Sequence, residues 1–158
     1  MVTGDALRSV MRRFPQGVAV LSVDHDGERM GVTISSLVSL SLDPPLVGVS
    51  IGKQASCYEL IRGARTFGIS ILGSGHAHLA QRFAAGFPPL VHWDGVETRE
   101  GESGFAPLLA DARGWLECRI RDEQDAGDHT FFVADVVWTE LGPARGGLVY
   151  HESTYHPL

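Results

Sequence analysis

The sequence predicts a mainly β fold, a closed or nearly closed antiparallel barrel carrying three short helices. Three observations point to it. Seven to nine strand-like runs follow one another with turn signals between them. They are joined mostly as hairpins, without a helix after each strand, which argues against a doubly wound sheet. Nineteen glycines and eight prolines suit many turns better than a helical bundle. Closure is the natural solution for such strands because it removes exposed edges.

Residues 5–14 read as an amphipathic helix, because Leu7, Val10, Met11 and Phe14 fall at i, i+3, i+4 and i+7. Pro15 stops it. Val18 to Val23 is nearly continuous in apolar character, as in a strand buried on both faces. Asp26-Gly27 is a hairpin turn signal, and Arg29 to about Ser35 is the return strand. Val38 to Leu42 alternates serine with apolar residues, a half-buried strand pattern. Asp43-Pro44-Pro45 ends it, and Leu46 to Ile51 is the next strand. Ala55 to Arg62 reads as a short helix with Ser56 near its start. Thr66 to Leu72 is a strand and His76 to Phe83 a helix. Gly86 to Glu102 is loop-like, with Trp93 and Val96 in a short strand. Trp115 to Arg121 is a strand with Leu116, Cys118 and Ile120 on one face. Gln124 to Asp128 is a turn, Thr130 to Leu141 a long strand, and Leu148 to Tyr150 opens a short final one.

The 158 residues argue for one domain, 1–158, with no repeat, linker or low-complexity tract. The net charge of −6, with one small basic patch at Arg8, Arg12 and Arg13, argues against nucleic-acid binding. Cys57 and Cys118 form no CxxC pair and read as buried thiols in a reducing compartment. No apolar run reaches the length of a membrane span, and MVTGDALRSVMRRF lacks the apolar core of a signal peptide. The expectation is a cytoplasmic protein without a membrane partner.

Several groups have chemical potential. Thr33, Ser35, Ser36 and Ser39 cluster in one strand-and-turn region, where hydroxyls either satisfy a turn or bind a polar ligand. In Ser50-Ile51-Gly52-Lys53-Gln54-Ala55-Ser56 a strand ends, glycine permits close approach, lysine supplies charge and Ser56 opens a helix. That combination suits a phosphate, the alternative being an ordinary cap with a solvated lysine. Gly127-Asp128-His129 places a histidine where a long strand begins, able to orient a substrate or shuttle a proton. His76 and His78 form HxH, but no third ligand stands at diagnostic spacing, so no metal is expected. There is no GxSxG elbow, and Gly73-Ser74-Gly75 lacks the rest of a dinucleotide fingerprint.

Taken in order, the motifs resemble a known family. They are Phe14-Pro15-Gln16-Gly17-Val18, Gly31-Val32-Thr33-Ile34-Ser35-Ser36, Ser39-Leu40-Ser41, Pro44-Pro45-Leu46, Leu79-Ala80 to Phe83-Ala84, Trp93 with Gly95, Pro107-Leu108, Leu116-Glu117-Cys118, Gly127-Asp128-His129, and Leu148-Val149-Tyr150 through Tyr155. The ordered set is similar to the small flavin reductases of two-component monooxygenases, across nearly the whole chain. The resemblance implies an FMN-binding split β-barrel, Greek-key-like, working as a homodimer. It implies NADH- or NADPH-dependent reduction of FMN or FAD, with reduced flavin passing to a separate oxygenase. By position, Thr33, Ile34, Ser35 and Ser36 would meet the flavin ring and ribityl chain. Ser50, Gly52, Lys53 and Ser56 would surround the phosphate, with Arg82 a further phosphate contact. His129 would sit beside the nicotinamide as the catalytic residue, with Tyr155 completing that pocket. The sequence departs from the family at Ser70, where many relatives have asparagine.

Such an enzyme needs little acid–base machinery, because the cofactors carry the reaction and the protein positions two planar groups. Two other readings share the barrel. One is a non-enzymatic flavin- or haem-binding module, and the other an oxidase or deazaflavin-dependent reductase.

Overall fold

The computed structural model describes residues 1–86 and 88–158. Among these are four helices and twelve strands: α1 (Gly4–Met11), β1 (Gln16–Gly17), β2 (Ala19–His25), β3 (Glu28–Ile34), β4 (Val38–Leu42), β5 (Pro45–Gly52), α2 (Tyr58–Ala64), β6 (Thr66–Ile71), α3 (Ala77–Ala84), α4 (Pro89–Trp93), β7 (Thr98–Arg99), β8 (Leu108–Leu109), β9 (Gly114–Ala126), β10 (His129–Leu141), β11 (Leu148–His151) and β12 (Thr154–Pro157). The main sheet has seven strands in the order β3-β2-β6-β9-β10-β5-β4. A three-stranded sheet, β1-β11-β12, and a two-stranded one, β7-β8, complete it. All pairings are antiparallel. Neighbours such as β2–β6, β6–β9 and β10–β5 are not consecutive in sequence, which gives the Greek-key-like crossings.

The seven-stranded sheet curls around one core. Met30 and Ile34 of β3 share a buried cluster with Val47, Val49 and Ile51 of β5, although these strands lie near opposite edges of the sheet. Leu21, Phe67, Ile69 and Phe132 fill its centre with essentially no exposure. Each such side chain contributes about 1.5–3 kcal/mol by leaving water. β2 is buried on both faces, as its continuous apolar run predicts. Ala19, Leu21 and Val23 face the barrel interior, while Val20 joins a second cluster with Ala80 and Phe83 of α3, Leu109 and Leu148. Cys118 and Ile120 enter the interior and Leu116 packs against it, so these three share one face as expected.

The Asp26-Gly27 turn forms as predicted, with φ of 50° and 81°, the left-handed pair that a two-residue hairpin requires. The Gly127-Asp128 turn is tighter than expected, because β9 runs through Ala126. The 86–102 stretch, apart from residue 87, which lies outside the described residues, contains the short helix α4 rather than a strand at Trp93. Pro89 at its first turn supplies the helical φ. The strands beyond the predicted nine include β1, β7 and β8, too short to show a period, and β12. β4 forms as predicted but is not half-buried: Val38, Leu40 and Leu42 are all exposed on this edge strand. α1 ends earlier than residue 14 and buries none of its residues. No described helix is long and apolar enough to cross a membrane.

Candidate functional site

β3 and β4 are the two edges of the sheet and no ladder joins them. Where the chain leaves β3, a side chain takes over the pairing. Ser36 Oγ donates to the Ser50 carbonyl at 3.0 Å and accepts from the Ser50 N–H at 3.1 Å. Against this clasp lies a cavity of about 290 Å³ lined by Val32, Thr33, Ile34, Ser35 and Ser36 on one side and Ser50, Ile51, Gly52, Ala55 and His129 on the other. That volume is near the lower end of ordinary small-molecule sites. A second cavity of about 170 Å³ adjoins it, lined by Val18, Thr33, Ile34, Ser35, Tyr150 and Tyr155. The end of β3 is the wall common to both.

Most candidate residues from the sequence therefore meet at one place. Thr33, Ile34, Ser35, Ser36, Ser50, Gly52 and His129 line the larger cavity. Tyr155 lies in the smaller one, its ring 5.2 Å from that of Tyr150. Burial and the neighbouring Tyr150 push the Tyr155 phenol above its ordinary pKa. The Thr33 hydroxyl donates to the Ala80 carbonyl of α3 at 2.6 Å, so it anchors that helix as well as lining the cavity. Among the described residues, the hydroxyls of Ser35, Ser50 and Ser56 make no hydrogen bond within the chain. They remain available to a ligand.

Gly52 and His129 are directly paired across β5 and β10. His129 Nδ1 lies 2.7 Å from Asp128 Oδ1. An ionised carboxylate only accepts, so Nδ1 carries the proton and Nε2 is the atom turned toward Gly52. The hydrogen bond and charge of His129, with a contribution from Lys53, hold the Asp128 carboxyl below its ordinary pKa.

Lys53 and Ser56 sit in the turn that follows β5. The helix expected from Ala55 begins only at Tyr58, because the Ala55 N–H bonds back to Gly52 and the Tyr58 N–H to Ala55, consecutive turns rather than helix. Ser56 therefore precedes the helix and does not cap it. The Lys53 ammonium is ion-paired with Asp125 on β9. Arg82 is placed elsewhere. Its guanidinium donates to the carbonyls of His92 and Val91 at 2.7 Å each, and to that of Asp94, holding α4 against α3. It lines a different cavity, with His78 and Asp111.

His76 Nδ1 accepts from the Gly73 N–H at 2.9 Å, and its Nε2 lies 3.2 Å from Asp111, so both nitrogens tie the 73–76 turn in place. Burial pushes the Cys57 thiol up to about 11. Ser70 is buried and its hydroxyl accepts from the Leu109 N–H at 3.0 Å. Sequence reasoning missed Val18 and Tyr150 as cavity walls and Asp125 as the partner of Lys53. The spacing of Tyr150 and Tyr155 in a short hairpin was the available signal for the first.

The donor set fits a planar heterocycle carrying a polar chain. The free hydroxyl of Ser35 lies on one wall and that of Ser50 on the other, where Gly52 adds no side chain. Its missing Cβ would meet only the His129 imidazole, at 3.6 Å from Nε2.

The family model described as "Flavin reductase like domain" matches residues 11–158. The chain is 39% identical over 146 residues to an NADH-dependent FAD reductase of Streptomyces globisporus, covering 91% of this chain and 80% of that protein. It is 38% identical over 135 residues to the reductase component of a 4-nitrophenol 4-monooxygenase/4-nitrocatechol 2-monooxygenase of Rhodococcus opacus, covering 85% of this chain and 71% of that protein. The solved structure of the Streptomyces globisporus C-1027 NADH:FAD oxidoreductase SgcE6 in complex with NAD and FAD fragments superposes with a TM-score of 0.91 at 34% identity, covering 100% of this chain and 96% of that one.

Proposed function

This chain belongs to the flavin reductase-like family, and on that premise we propose that it is an NADH-dependent reductase of FMN or FAD that supplies reduced flavin to a separate flavin-dependent oxygenase. The observation that carries the reading is the seam cavity. Unbonded serine hydroxyls, a glycine wall and an Nε2-presenting histidine converge there, in a chain whose relatives include an FAD reductase and a monooxygenase reductase component.

When bound, the flavin supplies the hydride acceptor and the nicotinamide the hydride. The residues of this chain bind, orient and exclude water. Thr33, Ile34, Ser35 and Ser36 hold the ring and ribityl side. Ser50, Gly52, Lys53 and Ser56 hold the phosphate side. His129 orients the nicotinamide, its tautomer set by Asp128. Tyr155 closes the groove from the opposite flank of β3. Arg82 is assigned to holding α4 rather than to the phosphate, since three carbonyls already engage it.

The chain functions in this reading as a homodimer in the cytoplasm. The exposed stripe of Leu7, Val10, Met11 and Phe14 supports a partner copy, and two free buried thiols suit a reducing compartment. Stopped-flow measurement of NADH oxidation with added FMN or FAD tests the function. Flavin-dependent NADH loss is expected, and no such loss with either nucleotide would refute the assignment.

A further inference from the structure

We propose that Asp125 is a built-in competitor for the flavin phosphate: by pairing with Lys53 it weakens retention of phosphorylated flavin and favours its release. The inference rests on the reading of Ser50–Ser56 as the phosphate side and adds a residue that sets how tightly that side holds.

The placement follows from strand register. β10 lies between β5 and β9, with Thr130 opposite Ile51 on one side and Asp125 on the other. Lys53 stands two positions beyond Ile51, in the turn leaving β5. Its backbone N–H donates to the Asp128 carbonyl at 2.9 Å, which laces that turn to the tip of the β9–β10 hairpin. The side chain then reaches the carboxylate of Asp125. The basic side chains that reach β9 from α2 and its C-cap do not compensate Asp125. Arg62 and Arg65 are taken by Glu123, at 3.4 and 2.9 Å.

Lys53 is the only cation of the Ser50–Ser56 segment, and a carboxylate presents it with the same oxygen chemistry as a phosphate. A phosphate arriving there must displace Asp125 or accept its repulsion. The Asp125 side chain is 79% exposed and that of Lys53 35% exposed, so the acid is free to swing into solvent and leave the lysine to another anion. The competition therefore weakens binding without abolishing it. A reductase that hands its product to another protein is served by such a hold. The ring side, which Asp125 does not touch, is left unaltered.

The test compares riboflavin, FMN and FAD, using flavin fluorescence to measure Kd for the wild type, Asp125→Asn and Lys53→Gln. Asp125→Asn should tighten FMN, FAD or both by about 1.5-fold to fivefold, the range of an exposed ion pair. Riboflavin affinity should stay level. Whichever nucleotide gains identifies the phosphate that Lys53 meets. Asp125→Ala, which cannot hydrogen-bond the lysine at all, should give the same gain. If Lys53→Gln selectively weakens FMN or FAD but neither Asp125 variant tightens them, the competitor role is overturned and the phosphate side stands. If Lys53→Gln leaves the difference between riboflavin and the nucleotides unchanged, the phosphate side itself is wrong and the competitor role falls with it.

Discussion

Gly52 and His129 face each other across the β5–β10 ladder, with His129 Nε2 3.6 Å from the point where a Cβ on residue 52 would stand. A methyl group there makes an ordinary van der Waals contact and strains nothing in the chain. Gly52→Ala should therefore fold normally, with a melting temperature within about 4 °C of wild type. The methyl would occupy the cavity wall, so flavin Kd should rise at least about fivefold while the circular dichroism spectrum stays unchanged. Equal flavin affinity in the two proteins would remove Gly52 from the binding surface.

His129 is held by Asp128 with its free nitrogen turned toward the cavity. If it orients the nicotinamide, His129→Ala should lower kcat/KM for NADH by at least about tenfold, because loss of alignment acts on the hydride distance. Flavin Kd should change far less. Steady-state kinetics beside fluorescence titration separates the two effects, and unaltered NADH kinetics would exclude the role.

Glu117 is a fully buried carboxylate that accepts from the N–H groups of Ser103 at 2.7 Å and Phe105 at 3.1 Å. It organises the loop ahead of β8 from inside β9. Glu117→Ala leaves both donors without that acceptor and opens space, so urea unfolding should show a loss of about 3 kcal/mol. Glu117→Gln retains one acceptor oxygen and should lose less.

Both cysteines are buried thiols, pushed up to about 11 at Cys57 and about 12 at Cys118 by desolvation, with Glu117 adding to the latter. The native thiols stay neutral at pH 8, so an aromatic disulfide reagent should label neither until the protein is unfolded. The linkage has a definite sign. Above the ordinary thiol value of 9.0 the unfolded chain loses these protons first. Stability should be full below that pH and fall as pH rises from 9.0 toward the native values. A Cys57→Ser/Cys118→Ser double variant should flatten this alkaline decline in urea unfolding titrations.

Leu7, Val10 and Met11 lie on α1 and Phe14 three residues beyond its end, and all four are exposed within one chain. If a second copy covers the stripe, Val10→Asp with Phe14→Asp should convert the dimer to monomer in sedimentation equilibrium. A monomeric wild type, or a variant that remains dimeric, would place the interface elsewhere or deny it.

Local physics made much of the fold legible in the sequence. The Asp26-Gly27 turn, the two-sided burial of β2, the single face shared by Leu116, Cys118 and Ile120, and the span of β4 all follow from side-chain period and turn chemistry within a few residues. Two-residue strands such as β1, β7 and β8 carry no period, and only their partners define them. The exposure of β4 was hidden for a similar reason. Alternation shows which residues share a face, but not whether anything covers it.

The sequence by itself determined which polar groups stand at the end of β3 and around the exit of β5. Tertiary structure alone decided which of them are free to act. Ser36 is engaged by a residue 14 positions away, Thr33 by one 47 away and Lys53 by one 72 away. A hydroxyl or ammonium takes whichever partner the strand register brings within hydrogen-bond reach, and that register is a property of the closed sheet. That is why Ser35 and Ser50 keep open hydroxyls, Lys53 meets Asp125, and Arg82 turns to the carbonyls of α4.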